Sequence, residues 1–201
     1  FAVEQHGARA AHALLAEGNP AAMLLVLAAD HVIADTEAFV RAVALAQRAA
    51  QDGYIVTFGI RPTRPETGFG SMRAGAALPS GALAIEAFVE KPPRAPAEAY
   101  LAEKNYFWNG GMFLFRADVF LEELRRFEPA MEAACAQAVA SSKRDLDFCR
   151  LDGPAFEQAR AESVDYAVME KTQKAALAPL DAGWDDVGSW SYLESLNRTD
   201  A

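Results

Sequence analysis

Two carboxylates and a lysine occupy positions in this sequence where they could bind a divalent cation and a phosphate group. Asp186 lies in residues 183–190, which combine two adjacent aspartates, two glycines and two tryptophans. Asp30 follows an apolar run, and Lys91 precedes two prolines that restrict the backbone around it. Mg²⁺ is commonly held by one or two carboxylates together with substrate phosphates, and a lysine can neutralise a further phosphate. This set predicts metal-assisted phosphoryl or nucleotidyl transfer.

Each of these signals also has a purely structural interpretation. Residues 183–190 are equally compatible with a glycine-rich turn that carries a solvated aspartate pair. Asn109 precedes two glycines, which is a common turn signature, although its amide could also donate to and accept from sugar hydroxyls. Gly68 and Gly70 lie in a proline- and glycine-rich stretch, where a loop could bring backbone close to a ligand. The residues alone leave these alternatives open.

The elements that would position these residues predict an α/β fold. The apolar run over residues 23–29 has the pattern of a strand buried on both faces of a parallel sheet, and ligands gather at the carboxyl ends of such strands, where Asp30 lies. A helix capped by Thr36 and a strand over residues 54–60 would complete a right-handed βαβ unit. We expect further strands over residues 83–89, 112–115 and 175–180, helices over 97–104, 163–171 and 191–196, helices after Asp118 and Pro129, a loop over 61–81 and a polar connector over 141–151.

Composition limits the class of protein. A chain of 201 residues with 52% hydrophobic and 23% charged residues predicts one soluble domain. The net charge of −9 argues against a nucleic-acid surface, which needs a basic face. Two cysteines and three scattered histidines give no zinc or disulfide pattern. We see no apolar run long enough to span a membrane and no signal peptide, and we therefore expect a cytoplasmic protein.

The sequence resembles bacterial mannose-1-phosphate guanylyltransferases, also called GDP-mannose pyrophosphorylases, within the sugar nucleotidyltransferases. The resemblance rests on six segments in the family's order: LAADHVI at 27–33, ETGFG at 66–70, FVEKP at 88–92, FWNGGMF at 107–113, SVDYAVMEK at 163–171 and GWDDVGSW at 183–190. Phe69 stands where tyrosine is usual, and Gly110 replaces a common serine. The family's opening strand and its glycine-rich loop, which wraps the nucleotide triphosphate, have no counterpart before Phe1. Residues 1–201 are thus expected to form a single nucleotidyltransferase domain that lacks this loop.

The resemblance implies a fold and a set of site residues. The fold would be Rossmann-like, with a mixed, mostly parallel sheet flanked by helices, as in nucleotide-diphospho-sugar transferases. Asp30, Lys91 and Asp186 would be the catalytic residues, with Mg²⁺ held by the two aspartates and the sugar phosphate contacted by the lysine. The implied substrate-binding residues are Gly68, Glu90, Lys91, Asn109, Asp165 and Lys171, with Glu90 and Asn109 on sugar hydroxyls and Gly68 approaching by its backbone.

The resemblance also implies a reaction. GMP would be transferred from GTP to mannose 1-phosphate, giving GDP-mannose and pyrophosphate, in GDP-mannose and polysaccharide biosynthesis. A sister enzyme with another sugar or base is one alternative, and a nucleotide-sugar-binding module without transfer activity is another. No membrane or nucleic-acid partner is expected, and the sequence leaves a homodimer open.

Overall fold

A six-stranded sheet lies at the centre of the computed structural model, which describes residues 12, 19, 21–146 and 148–187. Its strands are β1 Met23–Val26, β3 Ile55–Ile60, β4 Ser71–Ala77, β5 Leu83–Val89, β6 Tyr106–Arg116 and β9 Ala175–Pro179. Their spatial order is β1-β6-β3-β9-β5-β4, and β6 also pairs with β4. Two short ladders lie apart from this sheet: β2 Val32–Ile33 with β10 Trp184–Asp185, and β7 Lys143–Asp145 with β8 Phe148–Arg150.

Helices cover both faces of the sheet. They are α1 Thr36–Gln51, α2 Arg94–Ala102, α3 Ala117–Phe127, α4 Pro129–Ala140, α5 Gly153–Phe156 and a π-helix over Asp165–Met169. Alternate side chains of β6 divide the core, because successive residues of a strand point to opposite faces. Met112 and Leu114 pack with the buried alanines of α1, whereas Phe113 and Phe115 pack with α3 and α4. The sheet is therefore the middle layer of three, and the predicted mixed α/β class is confirmed.

The expectation of a mostly parallel sheet is wrong for the described strands. Only β3 and β9 pair in parallel, whereas β6 runs antiparallel to β1, β3 and β4, and β5 runs antiparallel to β4 and β9. The β4–β5 connection is a short hairpin, which requires antiparallel strands. β6 lies between β1 and β3, so the two strands of the predicted βαβ unit are not neighbours.

The first strand also differs from its prediction. β1 ends at Val26, pairs with β6 alone among the described strands, and leaves Leu25 exposed. Among the described strands it is thus a half-buried edge strand and not a strand buried on both faces. The cap of α1 is Asp35, whose Oδ1 accepts from the Ala38 N–H at 2.8 Å, and not Thr36.

Several other elements differ from their predicted bounds or type. The predicted loop over residues 61–81 contains β4, because the small residues after Gly70 are held by pairing with both β5 and β6. β6 begins at Tyr106, so Asn109 lies within a strand and not in a turn. The connector over 141–151 contains the β7–β8 hairpin, and the helix over 163–171 is a π-helix. The predicted helix over 191–196 lies outside the described residues.

Within the described ranges, no helix combines the length and apolar character needed to cross a membrane.

Candidate active site

A cavity of about 190 Å³ opens where residues from distant parts of the sequence meet. Five residues predicted from the sequence line it: Gly68, Glu90, Asn109, Asp165 and Asp186. Pockets for whole drug-sized ligands occupy roughly 300–1,000 Å³. The described residues therefore give room for about one monosaccharide rather than for a nucleotide and a sugar together.

The β2–β10 ladder brings the segments that carry the two predicted metal carboxylates next to each other. Trp184 pairs with Ile33 and Asp185 with Val32 in antiparallel register. Continued by one residue, this register sets Asp186 opposite His31, the neighbour of Asp30. Asp186 is half-buried and lines the cavity, whereas Asp30 is exposed and is not part of its lining.

This donor set fits a cation that shares its shell with a substrate. Across the described ranges, no three His, Cys, Asp or Glu side chains form a cluster that could hold a metal ion by themselves. Mg²⁺ does not need such a cluster, because it usually keeps several waters and takes one or two carboxylates plus substrate phosphates. Asp30 and Asp186 offer two carboxylates of this kind.

Asn109 is held in place by three hydrogen bonds from its buried position in β6. Its Nδ2 donates to Asp165 Oδ1 at 2.9 Å, and its Oδ1 accepts from Thr57 Oγ1 at 2.6 Å and from the Gly111 N–H at 3.2 Å. The single hydroxyl proton of Thr57 can go either to this oxygen or to the Met112 carbonyl, which lies 3.0 Å from Thr57 Oγ1. We expect Asn109 to offer a ligand its second N–H, and acceptance of a hydrogen bond by its oxygen stays a prediction.

Glu90 presents a largely buried carboxylate to the cavity, with its side chain 10% exposed. A β-carbon on Gly70 would lie 2.6 Å from Glu90 Oε2 and 3.2 Å from the Asn109 Cβ. Gly70 therefore creates the space in which these two side chains approach each other. Burial raises the pKa of the Glu90 carboxyl, the Lys91 ammonium partly offsets this rise, and the Glu170 carboxylate adds to it.

Lys91 lies beside the cavity. Its side chain is mostly exposed and does not line the cavity, but its Nζ lies 3.9 Å from Glu90 Oε1. Its backbone has a φ of 46°, which is unfavourable for a non-glycine residue and more so before a proline. Strain of this kind persists only where the surroundings impose it. The turn therefore directs the ammonium to the rim, where it could meet a phosphate.

Two other predicted residues are already engaged. The Gly68 N–H donates to Glu66 Oε1 at 2.9 Å, and this bond is the main cause of the lowered pKa of Glu66. Gly68 can thus approach a ligand closely, but its N–H is not a spare donor. Lys171 lies away from the cavity lining and donates from Nζ to Glu128 Oε1 at 2.8 Å. Its proposed role in substrate binding stays a prediction.

Four aromatic rings form a row beside the site, three of them in the cavity lining and Trp108 behind Phe69, and sequence reasoning did not single it out. The ring of Trp184 lies edge-on to His31 at 5.2 Å and to Phe69 at 5.4 Å, and Phe69 lies edge-on to Trp108 at 5.5 Å. Trp184 Nε1 donates to His31 Nδ1 at 3.2 Å. We call these four residues the aromatic wall. Its members come from four segments, so only their closeness to predicted glycines and acids could have indicated them.

Replacing Glu90 with glutamine is expected to raise thermal stability at neutral pH while lowering activity. A raised folded-state pKa means that the protonated form favours folding, and this contribution is lost as pH rises through that pKa. The ionised Glu90 carboxylate therefore lowers the free energy of unfolding at neutral pH, and the uncharged glutamine amide avoids this loss. We expect a higher Tm at neutral pH, a difference that shrinks at acidic pH, and a fall of about tenfold in kcat/KM. A lower Tm at neutral pH would contradict the pKa direction.

The chain matches the nucleotidyl transferase family over residues 3–201, and it belongs to that family.

Two curated proteins are similar to most of this chain. The chain is 56% identical to the xanthan biosynthesis protein XanB of Xanthomonas campestris pv. campestris (strain B100), over 91% of this chain and 38% of that protein. It is 53% identical to the mannose-1-phosphate guanylyltransferase ManC of Salmonella typhimurium, over 87% of this chain and 37% of that protein. The chain thus spans less than two fifths of the length of these curated relatives.

A solved structure agrees with the fold. The structure described as mannose-1-phosphate geranyltransferase from Thermus thermophilus is 35% identical and superposes with a TM-score of 0.82. The alignment covers 97% of this chain and 55% of that chain.

Proposed function

We propose that the protein transfers GMP from GTP to mannose 1-phosphate, producing GDP-mannose and pyrophosphate for polysaccharide biosynthesis. The observation that carries the proposal is the cavity in which Glu90, Asn109 and Asp186 meet beside Lys91. Relatives with about half of their aligned residues identical carry names for this activity or for xanthan synthesis. These names support mannose 1-phosphate and GTP as the substrates.

The charges of the site suggest how a sugar phosphate would be oriented. Besides Asp186, the predicted metal ligand, Glu90 and Asp165 supply carboxylates to the cavity lining, and none of the described lining residues is a lysine or arginine. Carboxylates that hold no cation accept hydrogen bonds from hydroxyls but repel phosphate. The sugar ring would therefore enter the cavity, with the Glu90 carboxylate and the spare Asn109 N–H on its hydroxyls. Its phosphate would stay at the rim near Lys91.

The aromatic wall would contribute to binding of the sugar. The edge-to-face rings of Phe69, Trp108 and Trp184 support one another and give the site a stiff apolar side. An apolar face of the sugar would rest on this side while its hydroxyls turn towards the carboxylates.

The reaction needs no general base from the protein. The attacking oxygen of a sugar 1-phosphate is already anionic, so the site has to align it with the α-phosphorus of GTP and reduce the repulsion between the two phosphates. Lys91 would hold and partly neutralise the sugar phosphate. Mg²⁺, which Asp30 and Asp186 would hold, supplies further charge neutralisation at the phosphates when bound.

A substrate panel tests this proposal. The full-length protein would be incubated with Mg²⁺ and each pairing of GTP, UTP or dTTP with mannose 1-phosphate or glucose 1-phosphate, and pyrophosphate release would be measured. The expected result is fastest release with GTP and mannose 1-phosphate. Preference for another pair would replace the mannose assignment by a sister activity. Calorimetric binding of GDP-mannose without pyrophosphate release from any pair would indicate a binding module.

A further inference from the structure

We propose that Glu170 is a positioning residue that fixes the turn formed by Glu90 and Lys91, and that the π-helix is what lets Glu170 act together with Asp165. The inference rests on the proposed function, since it concerns how that site holds a sugar phosphate. Glu170 lies outside the cavity lining, so it would act through the residues it holds.

The contact that carries the inference joins two segments 80 residues apart in sequence. The Glu90 N–H donates to Glu170 Oε1 at 2.9 Å. This bond holds the backbone immediately before Lys91, whose φ of 46° needs support from its surroundings. It therefore fixes both the carboxylate that enters the cavity and the ammonium at the rim.

The electrostatics of this contact favour a positioning role. The charge of Glu170 raises the pKa of Glu90, because two carboxylates that approach each other repel. Glu170 is exposed and could turn to solvent, where the repulsion would be smaller. The carboxylate instead accepts the Glu90 N–H, a charge-assisted hydrogen bond that offsets the repulsion.

The π-helix over Asp165–Met169 explains how one short segment contacts both Asn109 and the Glu90 backbone. In an α-helix, residues four apart lie one above the other. The Glu170 N–H here bonds to the Asp165 carbonyl at 2.9 Å, so residues five apart take that relation. Asp165 then receives the Asn109 amide while Glu170 receives the Glu90 N–H. A regular α-helix would point these two carboxylates in different directions.

The far side of the segment is anchored on α3. Lys174 Nζ donates to Glu122 Oε2 at 2.9 Å, and the Thr172 hydroxyl donates to the buried Glu123 carboxylate. Lys171 pairs with Glu128, the residue that follows α3. These contacts hold the residues that follow the π-helix against α3. The position of the Glu170 backbone is therefore set independently of the cavity. This also gives Lys171 a structural task.

Kinetics of substituted proteins test the inference. The full-length protein would be prepared with Glu170→Ala, Glu170→Met and Glu170→Gln. The first two remove the acceptor for the Glu90 N–H, and glutamine keeps a carbonyl oxygen that can accept it. We expect the alanine and methionine variants to raise KM for the sugar phosphate about tenfold with KM for GTP changed less than about twofold. Glu170→Gln should stay within about threefold of the unsubstituted protein.

The control is Glu37→Ala, which removes an exposed carboxylate on α1 that pairs with Arg41. It should leave both KM values unchanged. Equal KM increases for alanine, methionine and glutamine, or no increase for alanine and methionine, would overturn the inference. All variants are assayed with the sugar phosphate that the unsubstituted protein uses fastest. A failure of the mannose assignment then shows in the unsubstituted protein, apart from any effect of Glu170.

Discussion

Replacing Asp186 with alanine is expected to slow metal-dependent GDP-mannose formation about a thousandfold, since the metal contributes several kcal/mol to the transition state and each 1.4 kcal/mol or so is a factor of ten. Asp186 is the predicted metal carboxylate that lines the cavity, and the β2–β10 ladder sets it beside the segment of Asp30. The measurement is pyrophosphate release from GTP and mannose 1-phosphate by the full-length protein across a Mg²⁺ titration. Binding of Mn²⁺ in the presence of GTP, followed by electron paramagnetic resonance, gives a second readout without turnover.

The neighbouring aspartate supplies the control. Asp185 Oδ1 accepts the Val187 N–H at 2.7 Å, a bond that an asparagine oxygen can also accept. Asp185→Asn should therefore keep the local backbone and most of the activity. Near-normal turnover and Mn²⁺ affinity in Asp186→Ala would remove Asp186 from the metal role. A loss of similar size in Asp185→Asn would point to a shared requirement for charge.

Replacing Lys91 with methionine is expected to lower kcat/KM for the sugar phosphate by about 10- to 100-fold, the range that a lost hydrogen bond to a charged group implies. Methionine keeps the aliphatic part of the side chain and leaves the unusual backbone turn in place. The loss should appear mainly in KM for mannose 1-phosphate, with KM for GTP little changed. Lys104→Met, which removes an exposed lysine beside a different cavity, is the matched control. Unchanged KM and kcat in Lys91→Met would show that the ammonium does not meet the phosphate.

The sequence predicted the parts of the fold that depend on local patterns. The strand over residues 83–89 was predicted at its observed bounds, because its ends are marked by Gly81 and by the prolines after Lys91. α4 begins at Pro129, one residue before the predicted start, since proline suits the first turn of a helix. These features are decided within a few residues of chain.

Features decided by distant partners were not predictable in the same way. β4 is poor in strand-forming residues and is held by pairing on both sides, so its composition indicated a loop. Asn109 precedes two glycines as turns often do, but β3 and β4 flank it and keep it in β6. The antiparallel direction of β6 likewise follows from where the chain returns and not from any local signal.

The candidate site likewise combines features that local sequence indicates with features that depend on distant partners. Asp30, Asp186, Lys91 and Gly68 were predicted because their types suit phosphate and metal chemistry, and Glu90 and Asp165 were predicted from the family resemblance. The partners that fix them were missed. His31 and Trp184 are 153 residues apart, and the Glu90 backbone and Glu170 are 80 residues apart. Only the folded chain shows that a histidine considered for zinc serves instead as a hydrogen-bond acceptor for an indole.

The two-residue ladder between β2 and β10 ties the completeness of the site to a local equilibrium between a closed and an open form. It joins segments near opposite ends of the described chain, and closing so long a loop costs entropy that one short ladder returns only in part. Such a ladder belongs to the regions that open locally before the core does. A cation shared by Asp30 and Asp186 would bind only the closed form and would therefore protect the ladder amides from hydrogen exchange.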